Sequence, residues 1–232
     1  MQLIDLSREI HHRTPTHPSH PPVAIGRWNW HEEKKYAGDV EFSSASLFMT
    51  LGDHAGTHVD APRHFDDAPD AQTVDEMPLE QFYTPALCLD LSDKPLGSDI
   101  TIEDLEEAEK ASGVSIDAGD TVLIYMGFND RVAISSPEYL TDFPGLTKDS
   151  AEWLGGKGIV SFGVEAISPG RPSRNNFLVH QVCRDLGFTH MECLVNLHKL
   201  VGIGKFTFIG FPLKIKGGTG SPIRAVAVID EE

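Results

Sequence analysis

Between residues 54 and 65 the chain reads His54-Ala55-Gly56-Thr57-His58-Val59-Asp60-Ala61-Pro62-Arg63-His64-Phe65, and no other stretch so narrows what it can fold into. His54 and His58 are spaced like two ligands one turn apart on a helix, but Gly56, the β-branched Thr57 and Val59, and Pro62 all oppose a helix here. A loop entering an extended stretch fits better. In that geometry His58 and Asp60 project from one side, and a turn at Gly56 can swing His54 round to join them. Two imidazoles and a carboxylate form a facial donor set that suits Zn, Mn or Fe(II) and leaves positions open for water and substrate. An arbitrary pair of histidines is better read as a polar surface loop. Three histidines and an aspartate at this density, among small residues that permit close backbone approach, favour metal.

Charge narrows the partners. With 35 acidic and 19 basic residues the net charge is −16, and no Lys/Arg cluster offers a footprint for nucleic acid or an anionic membrane. No apolar run approaches the roughly 20 residues of a membrane span, and Met1 to Ser7 lacks the pattern of a signal peptide, so the expected location is cytoplasmic. Cys88 and Cys193 lie in apolar runs and are expected to be buried free thiols. HExxH, GxSxG and GxGxxG are all absent, which lowers the zincin, serine-hydrolase and dinucleotide-binding readings. Gly202-Ile203-Gly204-Lys205 lacks the third glycine of a nucleotide loop.

Strands are expected at Leu3–Leu6, Ser43–Leu51, Ala86–Leu91, Thr121–Met126, Gly158–Val164, Glu192–Leu197, Phe206–Phe211 and Ile223–Ile229, and Gly217 to Pro222 reads as a turn between the last two. Thr101–Ala111 is the clearest helix, with Thr101 and Asp104 placed to cap it and Gly113 past its end. Asp149–Leu154 and Asn175–Leu186 read as further helices. The expected fold is therefore α/β, a single mixed domain over residues 1–232 with a curved or barrel-like β-sheet flanked by helices. Residues 8–30 form a Pro/His-rich N-terminal arm, whose segment His11–Pro22 has too little core-forming sequence to fold alone.

The segment at 54–65 resembles the His-x-Gly-Thr-His-x-Asp-x-Pro-x-His pattern of the cyclase-like metal-dependent hydrolases, the family of bacterial kynurenine formamidase and isatin hydrolase. The resemblance extends to Ile4-Asp5-Leu6-Ser7, the strand Gly158–Val164, the pair His180 and Glu192, Leu194-Val195-Asn196-Leu197, and the ending Gly218 to Ala225. It implies a fold of the swivelling β/β/α type. It also implies a first metal held by His54, His58 and Asp60, and a second, bridged by Asp60, held also by His180 and Glu192. The ions would be Zn or Mn, one or two per subunit, and His64 matches the catalytic histidine. The implied activity is hydrolysis of an amide, formamide or cyclic amide carbon–nitrogen bond by a metal-activated water. A histidine titrating near neutrality can take that water's proton and pass it to the leaving nitrogen. The alternatives are a lactone hydrolase, a cyclase or dehydratase, or a non-catalytic metal or ligand binder on the same fold. Family members tend to be oligomeric, which implies a homodimer or homotetramer with the arm packed on a partner subunit.

Several residues stand outside this pattern. Many kynurenine formamidases carry an aromatic-Pro-Gly-Asp element where this chain reads His17-Pro18-Ser19-His20, and many relatives have Asp in place of Glu165. His190 shares a strand face with Glu192, yet a solvent-facing or core hydrogen-bonding role is favoured; Cys183 reads as a small core residue. Trp28, Trp30 and Phe42 are candidates for a pocket for an aromatic substrate or for a subunit interface. Arg171 and Arg174, in the loop Ser168 to Arg174, are placed to meet an acidic substrate or simply to face solvent. No substrate-binding residue is assigned from the sequence.

Overall fold

Nine of the strands assemble into one curled sheet in the computed structural model, which describes residues 1–172 and 174–230. Ser173, in the loop noted above, lies outside the described residues. In chain order the elements used below are β1 (Gln2–Asp5), β2 (Ala24–Asn29), β3 (Ser46–Thr50), β4 (His58–Asp60), β5 (Tyr83–Asp90), α1 (Ile102–Ser112), β6 (Thr121–Tyr125), α2 (Lys148–Gly156), β7 (Ser161–Val164), α3 (Asn176–Leu186), β8 (Thr189–Glu192), β9 (Phe206–Ile209), β10 (Gly220–Pro222) and β11 (Val226–Ile229). The large sheet runs β1-β11-β9-β5-β6-β7-β8-β4-β10. Its centre, β5 to β8, is parallel, and both flanks are antiparallel. The sheet curls far enough that Ser7, just past edge strand β1, bridges Leu194, just past β8.

The central strands read as continuous apolar runs because both of their faces are covered. Leu87, Leu89, Val122, Ile124, Phe162 and Val164 face one core with Leu105 and Ala108 of α1, Ala151 and Leu154 of α2, and Val179 and Val182 of α3. Ala86, Cys88 and Leu123, the alternate residues, face a second core inside the curl with Leu6, Val59, Phe82, Met191, Leu194 and Phe208. All three cysteines are buried and unpaired. Helix α1 begins and ends as its sequence requires: Thr101 and Asp104 form a reciprocal capping box, and Gly113 closes the helix with φ 73°.

Two expectations fail near the site. Glu192 ends a strand instead of opening one: β8 occupies Thr189–Glu192, and Cys193 and Asn196 then adopt left-handed backbone (φ 59° and 62°), which no strand tolerates. Gly217 to Pro222 is more than a turn, because its second half is β10, which pairs with β4 at the sheet edge. Outside the large sheet, β2 and β3 pair as an antiparallel ribbon, and a small hairpin of Lys35–Ala37 with Val40–Phe42 extends it. This projection carries Trp28, Tyr36, Val40, Phe42, Leu47, Phe48 and Met49 as exposed side chains, with Trp28 77% exposed. No helix is long and apolar enough to cross a membrane among the described residues.

Candidate metal centre

Strand β4 lies between β8 and β10, so its alternation puts Val59 into the inner core and His58 and Asp60 on the opposite face. Gly56, at φ 68°, makes the turn that returns His54 to them. Nδ1 of His54 stands 2.7 Å from Oδ1 of Asp60, and Nε2 of His58 stands 3.5 Å from the same oxygen. The other ring nitrogens are held from behind. His58 Nδ1 lies 2.9 Å from the carbonyl oxygen of Gly56. His54 Nε2 lies 3.0 Å from Oγ1 of Thr219, which itself donates to Asp53 and so accepts from the ring. Such outer contacts fix imidazole orientation and leave the inward nitrogen free to ligate. His54, His58 and Asp60 are all buried, and their donor atoms lie within 4.8 Å of one another.

Asp60 turns its second oxygen towards α3 and β8. Its Oδ2 is 3.6 Å from Nε2 of His180 and 3.3 Å from Nε2 of His190, and the latter nitrogen is 3.2 Å from Oε1 of Glu192. Glu192 Oε2 closes the circuit at 3.5 Å from His58. Asp60 thus joins two buried donor groups, one of three residues and one of four. Burial works against its charge, but His190, His180 and His54 prevail and hold its carboxyl well below the usual range. Glu192 moves the other way: burial, and then the charge of Asp60, raise it well above its ordinary value. Two carboxylates packed among imidazoles in a dry site are the chemistry a divalent cation satisfies, so these residues fit such an ion.

Beside the donors is a cavity of about 190 Å³ lined by His17, Ser19, His20, His64, Phe65, Ser168, Asn176, Phe177, His180 and Glu192. His64 is on its wall, with Nε2 3.8 Å from Oδ2 of Asp60 and its side chain 27% exposed. Burial is the largest influence on its ring; Asp60 pulls the other way, His54 and His180 reinforce burial, and the pKa falls to about 4, below the near-neutral value expected. The arm contributes directly, since His20 stacks on His54 with ring centroids 4.7 Å apart and the planes 19° from parallel.

The structure therefore brings His54, His58, Asp60, His64, His180 and Glu192 to one place, and adds His190 and His20, neither of which the sequence assigns to the site. His190 was visible through its two-residue spacing from Glu192 and is in fact fully buried among the donors. His20 gave no signal beyond the richness of the arm in histidine. Other candidates lie elsewhere. Arg171 and Arg174 turn to Asp99, at 3.4 and 3.7 Å. Glu165 is buried, accepting from the backbone N–H groups of Met126 and Phe128. Trp28 and Phe42 are exposed on the projecting ribbon and its hairpin, and Trp30, between them, carries Arg27 over its ring.

Known proteins resemble this chain over most of its length. The isatin hydrolase of Roseibium aggregatum is 32% identical over 218 residues, spanning 86% of this chain and 80% of that protein. The kynurenine formamidase of Salinibacter ruber is 28% identical over 228 residues, 97% of each. An isatin hydrolase crystallised with the product analogue thioisatinate matches the fold with a TM-score of 0.84 at 28% identity, over 99% of this chain and 93% of that one. The family model Cyclase, described as "Putative cyclase", matches residues 4–171, a span that holds the arm, His54, His58, Asp60 and His64. With that match covering most of its length, and with relatives and fold agreeing beyond it, the chain belongs to the cyclase family.

Proposed function

We propose that this chain is a metal-dependent hydrolase of non-peptide carbon–nitrogen bonds, acting on a small aromatic formamide or cyclic amide in the manner of an arylformamidase or isatin hydrolase. The observation that carries the reading is Asp60: two buried donor groups meet at one carboxylate beside a cavity whose wall holds a partly exposed histidine. His54, His58 and Asp60 would hold one ion, and Asp60, His180 and Glu192 a second, Zn or Mn in either case. When bound, such an ion polarises a carbonyl oxygen and lowers the pKa of water from about 15.7 towards about 7.

The remaining work falls to the chain. His64 is neutral at physiological pH because burial depresses its pKa to about 4, so a ring nitrogen is free to accept a proton as the nucleophile forms. The same nitrogen returns that proton to the leaving amine, which could not depart as an anion. Phe65 and Phe177 give the cavity apolar walls suited to an aromatic ring, while Ser19, Ser168 and Asn176 place polar groups beside them. His20, stacked on His54 and lining the cavity, brings the arm against the site.

Hydrolysis of N-formylkynurenine and of isatin, by protein reconstituted separately with Mn and with Zn, tests this reading against a chelator-treated control. Turnover of either substrate that depends on the ion supports it and selects the metal. Stoichiometric metal with no turnover of either substrate contradicts the substrate class and leaves a binding role.

The apolar projection formed by residues 24–50 belongs, in this reading, to a homodimer or homotetramer interface, with the arm of residues 8–30 beside it. Seven large exposed apolar side chains on one projection exceed what a free surface ordinarily carries. The acidic surface and the small-molecule cavity fit a cytoplasmic enzyme without nucleic-acid or membrane partners.

A further inference from the structure

His190 has the features of a ligand without belonging to the pattern that identifies the others. It lies on β8 two residues before Glu192, so both project from the same face. Its Nε2 faces two carboxylate oxygens at nearly equal distance, Oδ2 of Asp60 at 3.3 Å and Oε1 of Glu192 at 3.2 Å. Donors about 2.0–2.1 Å from a tetrahedral ion stand about 3.3 Å apart, and the His180–Asp60 separation of 3.6 Å is close to that edge length. A single ring proton serves two such oxygens poorly, whereas a cation between the three groups serves all of them.

The ring is also fixed in orientation. Phe162 stacks on it at 5.4 Å and 18°, and Phe65 stacks on it at 6.1 Å and 24°. Nδ1 is occupied from behind by Sγ of Cys183 at 3.7 Å, and His180 is held in the same way by the carbonyl oxygen of Asn176, 2.7 Å from its Nδ1. Two histidines, each with an outer partner on Nδ1 and Nε2 turned towards Asp60, form a matched pair.

We propose that His190 is a fourth protein ligand of the second metal position, with Asp60, His180 and Glu192, and that it closes that position while the one held by His54, His58 and Asp60 stays open to water and substrate. The inference rests on the metal-dependent reading above and divides the labour between its two positions. Four protein donors make a closed, structural type of site, and three make the open type on which catalysis depends. The ion among Asp60, His180, His190 and Glu192 would then exchange slowly and hold the Asp60 carboxylate in place for the other.

The test is metal content and release. Wild-type protein and His190→Leu, each loaded with Zn and passed into excess chelator, are compared for ions per chain and rates of loss, with far-UV circular dichroism to check the fold. The expected result is a slowly released ion in the wild type that is lost quickly from the variant, its affinity down by more than the roughly 10–100-fold that loss of an outer partner costs. A second measurement needs no variant: wild-type protein labelled with ¹⁵N-histidine and loaded with ¹¹³Cd should show scalar coupling between cadmium and Nε2 of His190. Equal metal content and release in wild type and variant, or no such coupling in metal-loaded protein, overturns the assignment while leaving the metal-dependent reading intact. A wild-type protein that binds no stoichiometric ion overturns both.

Discussion

Gly220 shows how closely the site is fitted at the scale of one residue. A Cβ there would stand 2.7 Å from Cε1 of His54 and 2.8 Å from the carbonyl oxygen of Val59, closer than side chains pack. Gly220→Ala must displace the His54 ring or the Val59 backbone beside it, so affinity for Mn or Zn should fall by about 10–100-fold in calorimetric titration; unchanged affinity would contradict this fit of the ring to the site. Protons give a second prediction. Burial and the charge of Asp60 raise Glu192 well above its ordinary value, so a cation that binds through this carboxylate competes with a proton at higher pH than it would at an ordinary carboxyl. Metal binding should therefore weaken as pH falls, with protons released on binding where it weakens, which titration in buffers of different ionisation enthalpy measures. Binding without proton release would contradict the coupling. Six site residues were legible in the sequence because they sit in a dense pattern or match one. His190 showed its spacing from Glu192 but not its place among the donors, and His20 showed nothing, because only the pairing of β8 with β4 and the fold of the arm bring them in.

Elements show the same contrast. Helix α1 was readable at both ends because its stops are local: Thr101 accepts from the Asp104 N–H, Asp104 accepts from the Thr101 N–H at 2.8 Å, and Gly113 supplies the left-handed close. Burial would raise the Asp104 carboxyl, but the bonds from Lys94 and Thr101 outweigh it and hold the pKa below its ordinary value of 3.8. A depressed carboxylate stabilises the fold above its unfolded pKa and loses that contribution as pH falls through the folded value. Asp104→Ala should accordingly cost about 1 kcal/mol at neutral pH, with the difference shrinking as pH falls below the ordinary value of 3.8, measured by urea unfolding. A penalty that stayed constant with pH would show that the charge plays no part. Strand β8 was misread because Leu194-Val195-Asn196-Leu197 has strand composition, while the break at Cys193 depends on a left-handed backbone that tertiary contacts impose. Of the ribbon, β3 falls inside the expected strand Ser43–Leu51, whereas β2 lies in the stretch read as an arm and was not expected as a strand.

Across the whole molecule, the curl of the sheet brings the donors together. β4 lies between β8 and β10, so residues from positions 54 to 220 close round Asp60, and α3 delivers His180 to the same place. Curvature of this kind was legible as a class, from many strands and few helices, but the order of the strands was not. The interface proposed at residues 24–50 makes a prediction at this scale: the wild-type protein should run as a homodimer or homotetramer, and Trp28→Glu with Met49→Glu as a monomer, in size-exclusion chromatography with light scattering. Unchanged mass would assign those side chains some other role. The central claim is that Asp60 anchors the metal while His64 moves the proton without ligating. Metal content and turnover, measured side by side for Asp60→Ala and His64→Ala, test it most directly. The account predicts that Asp60→Ala loses both, whereas His64→Ala keeps its metal and loses turnover by about 10²–10⁴-fold, the usual contribution of a positioned acid–base group. Equal loss of metal in the two variants would place His64 among the ligands and contradict the account.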